Sequence, residues 1–201
     1  MCGRVELHSA FEIIARLFGL TGGSLSMPAG YNFTLRCERP DRSFHRLSTS
    51  QVLQLPRGKV FLFFEDPRNL FDITPDWLRF AMKERDAKTG VFEGAEFDYT
   101  IRWFGIPLPW KSRIIGYRPP EQFTDVQLTG PYRSWSHLHT FEDTAGGTLM
   151  RDTVTYQLPF GPLGGMVHAL AVRRQLEDIF RYRACRIAEW ARGELRKKSQ
   201  T

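Results

Sequence analysis

Ser134-Trp135-Ser136-His137-Leu138-His139-Thr140-Phe141-Glu142 is the stretch of sequence that decides the fold class. Aromatic and histidine side chains occupy every second position within it. Since successive side chains of a β-strand point to opposite faces, this period predicts a strand. The two histidines then share one face with Trp135 and Phe141.

The segments around this stretch extend the strand into a sheet. The links between neighbouring strand candidates are short and rich in Gly and Pro, which favours hairpins and antiparallel pairing. The predicted strands are residues 44–55, 77–84, 96–106, 110–117, 123–129, 134–142 and 148–158, with turns at 89–90, 107–109, 119–120, 130–131 and 146–147.

Three helices complete the predicted domain. Two short ones are expected over residues 56–65 and 66–73, and a long amphipathic one over 166–196, after a Pro/Gly break at 159–165. A sheet with one apolar face needs a cover, and only the last helix is long enough to provide it. The predicted fold class is therefore α+β: a curved, seven-stranded antiparallel sheet wrapped around a long C-terminal helix, over residues 43–197. Such a fold leaves a cavity between sheet and helix, which is by default a small-molecule site.

The first 42 residues have a different character. They contain one helical pattern, residues 10–18, followed by a Gly- and Ser-rich stretch over 21–30. One short helix cannot bury a hydrophobic core. We therefore expect residues 1–42 to be an appendage and not an independent domain.

Composition narrows the class of protein further. The chain has 201 residues, of which 42% are hydrophobic and 13% aromatic, enough for a real core. Its net charge is +6, but residues 171–201 alone carry nine Lys/Arg against four Asp/Glu, which a solvated helix face explains. The charge therefore gives little support to nucleic-acid binding. With no signal-peptide pattern and no metal-type spacing among Cys2, Cys37 and Cys185, a cytoplasmic protein is the expectation.

Residues 43–190 resemble the SRPBCC group of the START and birch-pollen-allergen superfamily, whose fold is called helix-grip, and are similar to bacterial members of it. The resemblance implies a hydrophobic pocket, and members include lipid carriers, coenzyme Q-binding proteins and polyketide cyclase/dehydrase-like enzymes. It does not specify a ligand. The residues that carry it are 64–70 (FEDPRNL), 73–80 (ITPDWLRF), 130–141 (GPYRSWSHLHTF) and 151–156 (RDTVTY).

Residues 1–32 resemble the start of a SRAP domain. The carriers are Cys2, Gly3, Arg4, Tyr31 and Asn32. In that family the exposed cysteine links covalently to the aldehyde of an abasic site in DNA, and removal of Met1 would free the thiol and α-amine of Cys2 here. The β-rich body of a SRAP domain does not follow, and a motif needs its structural context. A fusion remnant or a misplaced gene start is the simpler interpretation.

Strand facing selects the candidate site residues. If the aromatic face of residues 134–142 is concave, both histidines point into the pocket, where they could orient a polar ligand group or act as general acid and base. A His-x-His pair also suits a metal, but no third ligand is identifiable, and no metal or cofactor is predicted. Arg151 and Asp152 face opposite ways on the last strand, so one of them could contact the pocket, but cross-strand pairing with Arg133 or Glu142 is the expectation. The predicted ligand-binding residues are Trp77, Trp103, Trp135, His137, His139 and Tyr156.

The leading functional prediction is non-catalytic binding of a hydrophobic or amphipathic molecule, lipid-, quinone- or polyketide-like, between sheet and helix. One alternative is a cyclase or dehydrase that uses His137 or His139. The other is covalent capture of abasic-site DNA through Cys2. Oligomeric state is left open.

Overall fold

A computed structural model describes residues 32–41, 43–103, 105–159 and 171–198. Within these ranges the strands form one antiparallel sheet in the order β1-β2-β8-β7-β6-β5-β4-β3. The strands are β1 (Phe33–Glu38), β2 (His45–Leu53), β3 (Ala81–Met82), β4 (Glu96–Trp103), β5 (Ile106–Arg118), β6 (Gln122–Thr129), β7 (Ser134–Thr144) and β8 (Gly147–Gln157). The predicted α+β fold with a curved antiparallel sheet is confirmed, but the sheet has eight strands and not seven.

The extra strand is β1, which lies before the expected domain start at residue 43. It pairs along its whole length with β2, from Phe33 opposite Gln51 to Glu38 opposite Arg46. Residues Leu35 and Cys37 pack against the buried side chains at that end of the sheet. Strand β1 thus belongs to the same sheet as the strands that follow residue 43.

The predicted strand over residues 77–84 is the other correction. The segment instead forms a 3₁₀ turn, Asp76–Leu78, the two-residue strand β3 and a short helix, α3 (Glu84–Ala87). Arg79 adopts a left-handed backbone with φ 45°, which interrupts an extended strand. Similarly, Pro107 and Pro109 lie inside β5 and not in a turn. In this part of β5 the strand pairs with β4 but not with β6. The N–H groups that the two prolines lack are therefore not needed for hydrogen bonds to a second neighbouring strand.

Alternation places one face of each central strand in the core. In β2 and β8 every second residue is buried, as a half-covered antiparallel strand requires. The tight β7–β8 connection depends on Gly147, which has φ 121°, and a Cβ there would overlap the Leu53 carbonyl oxygen. This turn fixes the register in which His139 lies opposite Asp152.

Helices cover the buried face. The helix α1 (Arg57–Glu65) inserts Phe61, 2% exposed, against the rings of Phe123 and Phe141. It is followed by α2 (Asn69–Ile73), whose Asp72 carbonyl accepts a hydrogen bond from Arg186 of the long helix α4 (Arg173–Lys198). The predicted start of α4 at residue 166 lies outside the described residues. None of the helices that the structure describes is both long and apolar enough to cross a membrane.

Candidate functional site

A cavity of about 610 Å³ lies between the sheet and α4. Most of its wall is aliphatic or aromatic, as expected for a small-molecule site. Side chains from α1, α2, α4 and strands β4 to β7 contribute to it, together with the loops between them. The apolar lining includes Phe64, Leu70, Leu78, Phe97, Ile101, Leu108, Trp110, Ile114, Phe123, Trp135, Leu176, Ile179 and Phe180.

A row of polar side chains crosses this otherwise apolar sheet face. It consists of Ser112 on β5, Asp125 on β6, His137 and His139 on β7, and Asp152 on β8, and we call it the polar row. Pairing brings its members together, because Asp125 lies opposite His137 and His139 lies opposite Asp152. All of the row except Asp152 lines the cavity.

The Asp152 carboxylate joins the two histidines. Its Oδ1 lies 3.0 Å from His137 Nε2, in a hydrogen bond, and 2.7 Å from His139 Nδ1, off the line of a hydrogen bond. Its Oδ2 accepts a 3.4 Å hydrogen bond from the Thr49 hydroxyl. All three ionisable side chains are at most 5% exposed.

Burial and proximity set the charges in this cluster. Burial opposes ionisation of Asp152, but the close approach of His139 and the hydrogen bond from His137 hold its pKa well below the usual range. Burial lowers the pKa of both histidines, and for His137 the neighbouring His139 adds to that effect. At neutral pH the cluster therefore holds an ionised carboxylate between two neutral imidazoles.

Asp125 behaves differently from Asp152. Burial raises its pKa to about 6, against opposing contributions from the Ser112 hydroxyl and the charge of Arg183. The Asp125 Oδ1 atom is buried without a hydrogen-bond partner among the described residues. A carboxyl that titrates near neutral pH thus faces the cavity beside a neutral imidazole, an arrangement capable of proton exchange with a bound molecule.

Arg183 brings a permanent charge to the cavity from the helix side. Burial lowers the pKa of its guanidinium, although the charges of Asp152 and Asp125 oppose the shift. Its Nε atom is buried with no acceptor in the described part of the chain. The contact that the structure gives it is with the Phe180 ring, whose centroid lies 5.9 Å from the guanidinium carbon.

The His137, His139 and Asp152 ligand atoms lie within 4.8 Å of one another, a spacing that a divalent metal ion could bridge. The sequence offered no third ligand because Asp152 comes from another strand. The three side chains already satisfy one another in part, and Arg183 adds positive charge nearby. The donor set thus fits an ion by distance, and the charge of Arg183 acts against a cation there.

The predicted site residues divide into three groups. Trp135, His137 and His139 line the cavity. Trp77 instead packs edge-on against Tyr182, and Tyr156 is buried in a separate cluster with Leu47 and Val154. The side chain of Trp103 and the whole of residues 1–31, including Cys2, lie outside the described residues.

The sequence interpretation missed Asp125 and Arg183 as cavity residues and left open which of Arg151 and Asp152 faces inward. Arg151 does form the predicted cross-strand ion pair with Glu142, whereas its neighbour Asp152 turns inward to the histidines. For both aspartates, the sequence does show an acidic residue two positions after an apolar one in the same strand, which indicates that it faces inward. Arg183 carried no comparable signal among the many basic residues of α4.

The fold and cavity define an α+β protein of the helix-grip class. No family model matches the chain, and no curated protein matches its sequence. Solved structures do match. Protein Ms6760 from Mycobacterium smegmatis has a TM-score of 0.56 at 15% identity, over 81% of this chain and 99% of that one.

Two further structures share the fold. The di-domain ARO/CYC StfQ from the steffimycin biosynthetic pathway has a TM-score of 0.54 at 14% identity, covering 76% of this chain and 53% of StfQ. Ara h 8.0201 has a TM-score of 0.52 at 16% identity, covering 75% of this chain and 99% of its own. At such identities the likeness extends to the fold alone.

Proposed function

We propose that this chain is a SRPBCC-type protein that binds a hydrophobic or amphipathic small molecule between the sheet and α4. The observation that carries the proposal is the cavity of about 610 Å³, apolar over most of its wall and polar along one row. Burial of apolar ligand surface supplies the affinity, about 2.5 kcal/mol for each 100 Å². The polar row orients the ligand.

Native mass spectrometry of the full chain, purified from its own host, tests this proposal. We expect a complex that releases a small molecule on denaturation. A matched pair of variants on β4 gives the control. Ile101→Trp places a large ring in the cavity and should abolish the complex, whereas Arg102→Trp, at the next, exposed position, should leave it intact. Protein that is empty in every case would contradict the proposal.

A second candidate function rests on the His137–Asp152–His139 cluster. A neutral imidazole held by a buried carboxylate can accept a proton from a bound substrate and return it, which is the chemistry a cyclase or dehydrase needs. The test is turnover of candidate polyketide-like substrates by His137→Gln and His139→Gln, with ligand affinity measured in parallel. Turnover that falls steeply while affinity holds supports an enzyme, and absence of turnover in the parent chain supports a carrier.

A further inference from the structure

The side chain of Arg183 is half-buried, its Nε atom is fully buried, and it has no ion-pair partner in the described chain. No carboxylate oxygen of those residues lies within 4.0 Å of its nitrogens, although eleven other Lys or Arg residues of the described chain form such pairs. Of the two carboxylates whose charges act on Arg183, Asp152 contacts the two histidines and Asp125 lies beyond ion-pair distance. Residues 160–170, the stretch of sequence before α4, contain no Asp or Glu.

A guanidinium removed from water without a counter-charge is unfavourable, so buried arginines are normally paired. Its planar fork of N–H donors matches a pair of acceptor oxygens, such as those of a carboxylate or a phosphate. Arg183 lines the cavity, and its buried Nε has no acceptor among the described residues. The missing partner is therefore expected to come with the ligand.

Other unsatisfied polar atoms line the same cavity. The Trp110 indole Nε1, the Ser112 hydroxyl and Asp125 Oδ1 are each buried without a hydrogen-bond partner, alongside Arg183 Nε. The indole and the guanidinium only donate, so these two atoms require acceptor oxygens, whereas the Asp125 carboxyl lies near the Ser112 hydroxyl. Such atoms are rare in native proteins unless a ligand or water completes them.

We propose that the ligand is an amphipathic carboxylic acid whose carboxylate pairs with Arg183 while its apolar body fills the rest of the cavity. This inference rests on the proposed small-molecule function and specifies the chemical class of the ligand. Charge complementarity fixes which end of the molecule faces α4.

Two carboxylates, Asp125 and Asp152, already act on Arg183. A ligand carboxylate can join them only if one of the two is neutralised. Tyr99 on β4, Asp125 on β6, the two histidines on β7 and Asp152 on β8 surround it. Of these Asp125 is the group that can take up a proton near neutral pH. Binding of a carboxylate is accordingly expected to protonate Asp125, whose O–H then donates to the ligand.

Isothermal titration calorimetry of the full chain with decanoic acid, 1-decanol and decylamine at pH 7 tests the head group at constant chain length. We expect decanoate to bind at least tenfold more tightly than decanol, and decylamine more weakly than both. Arg183→Met should remove that preference, weakening decanoate at least tenfold and leaving decanol within twofold. Arg183→Lys, which keeps the charge but loses the fork, should fall between.

Arg181→Met is the matched control, because Arg181 lies on the same helix and is exposed. It should change none of the three affinities. Equal binding of decanoate and decanol, in the parent chain and in Arg183→Met alike, would overturn the carboxylate assignment and leave the proposed function standing. Binding of none of the three, together with empty protein from the host, would remove both.

Discussion

Asp125 is the single residue that most directly couples the cavity to pH. Its folded-state pKa of about 6 lies above its ordinary value of 3.8, so the folded protein holds a proton that the unfolded chain has released. The stability associated with the neutral carboxyl is therefore complete below pH 4 and is lost as the pH rises to about 6. At neutral pH, ionisation of Asp125 lowers the free energy of unfolding.

Substitution of Asp125 by Asn, the neutral isostere, should remove this dependence. Between pH 5 and pH 8 the parent chain is expected to lose about 1.4 kcal/mol relative to Asp125→Asn, the equivalent of one pH unit of linkage. Urea unfolding of both proteins at the two pH values measures the difference. A difference in free energy of unfolding that does not change with pH would show that Asp125 does not titrate in this range.

Arg183 should likewise cost stability in the empty protein. Since burial lowers its pKa despite the nearby carboxylates, the charged form is less favourable folded than unfolded. Arg183→Met is expected to raise the free energy of unfolding by about 1 kcal/mol or more, by analogy with buried ions replaced by apolar residues. Thermal unfolding of ligand-free protein provides the measurement, with Arg181→Met expected to stay within about 0.5 kcal/mol of the parent. A destabilised Arg183→Met would mean that the guanidinium has a partner in the empty protein.

The His137–Asp152–His139 cluster allows a separate prediction about metal binding. A divalent ion there would add to the positive charge of Arg183, with one ionised carboxylate as ligand, so we expect no tight site. Zinc at micromolar concentration should leave the unfolding temperature of the parent chain unchanged. A rise that disappears in Asp152→Asn would establish a metal centre instead, because an ion that binds only folded protein must stabilise it.

At the scale of elements, α1 connects the cavity to the core. One side of it carries Phe64 into the cavity wall, and Phe61 fills the space between β6 and β7. The next residue, Leu62, is 64% exposed. Adjacent positions on one helix thus have opposite environments, which makes them a natural pair for testing how the helix is held.

Phe61→Ala should therefore cost about 3–5 kcal/mol, since it leaves a cavity among aromatic rings, whereas Leu62→Ala should cost less than about 0.5 kcal/mol. Chemical denaturation of the two variants compares them directly. Similar losses for both would indicate that α1 does not dock through Phe61.

Strands with one buried and one solvated face are the elements that the sequence predicts best. The period of two in residues 134–142 and 148–158 predicted β7 and β8, because each has one buried and one solvated face. The same period is present in β1, where Phe33, Leu35 and Cys37 alternate with exposed residues, but it extends over only six residues. The partners of Asp152 and the orientation of Arg183 depend on how distant elements pack, which no local pattern records.

At the scale of the whole molecule, β1 joins the segment before residue 43 to the sheet. It covers the outer edge of β2 and places Leu35 and Cys37 against the cluster around Leu47 and Tyr156. Without β1, the backbone groups along one edge of β2 are unpaired, and such an edge promotes association with other chains.

A chain that starts at residue 43 should consequently be less stable than one that starts at residue 32. The loss of two partly buried side chains amounts to about 2 kcal/mol, apart from the exposed edge. Urea midpoints of the two truncated chains and the full chain, with sedimentation to detect self-association, measure the effect. Equal midpoints for all three would place β1 outside the folding unit.

The order of the elements has a consequence for how the protein is made. The polar row comes from strands that precede α4 in the chain, while Arg183 arrives on α4 itself. During synthesis the ribosome therefore releases a nearly complete sheet, its concave face open to water, before the helix that closes the cavity. Competence to bind is the last property the nascent chain acquires, and a ligand already resting on the sheet would be enclosed by the docking helix.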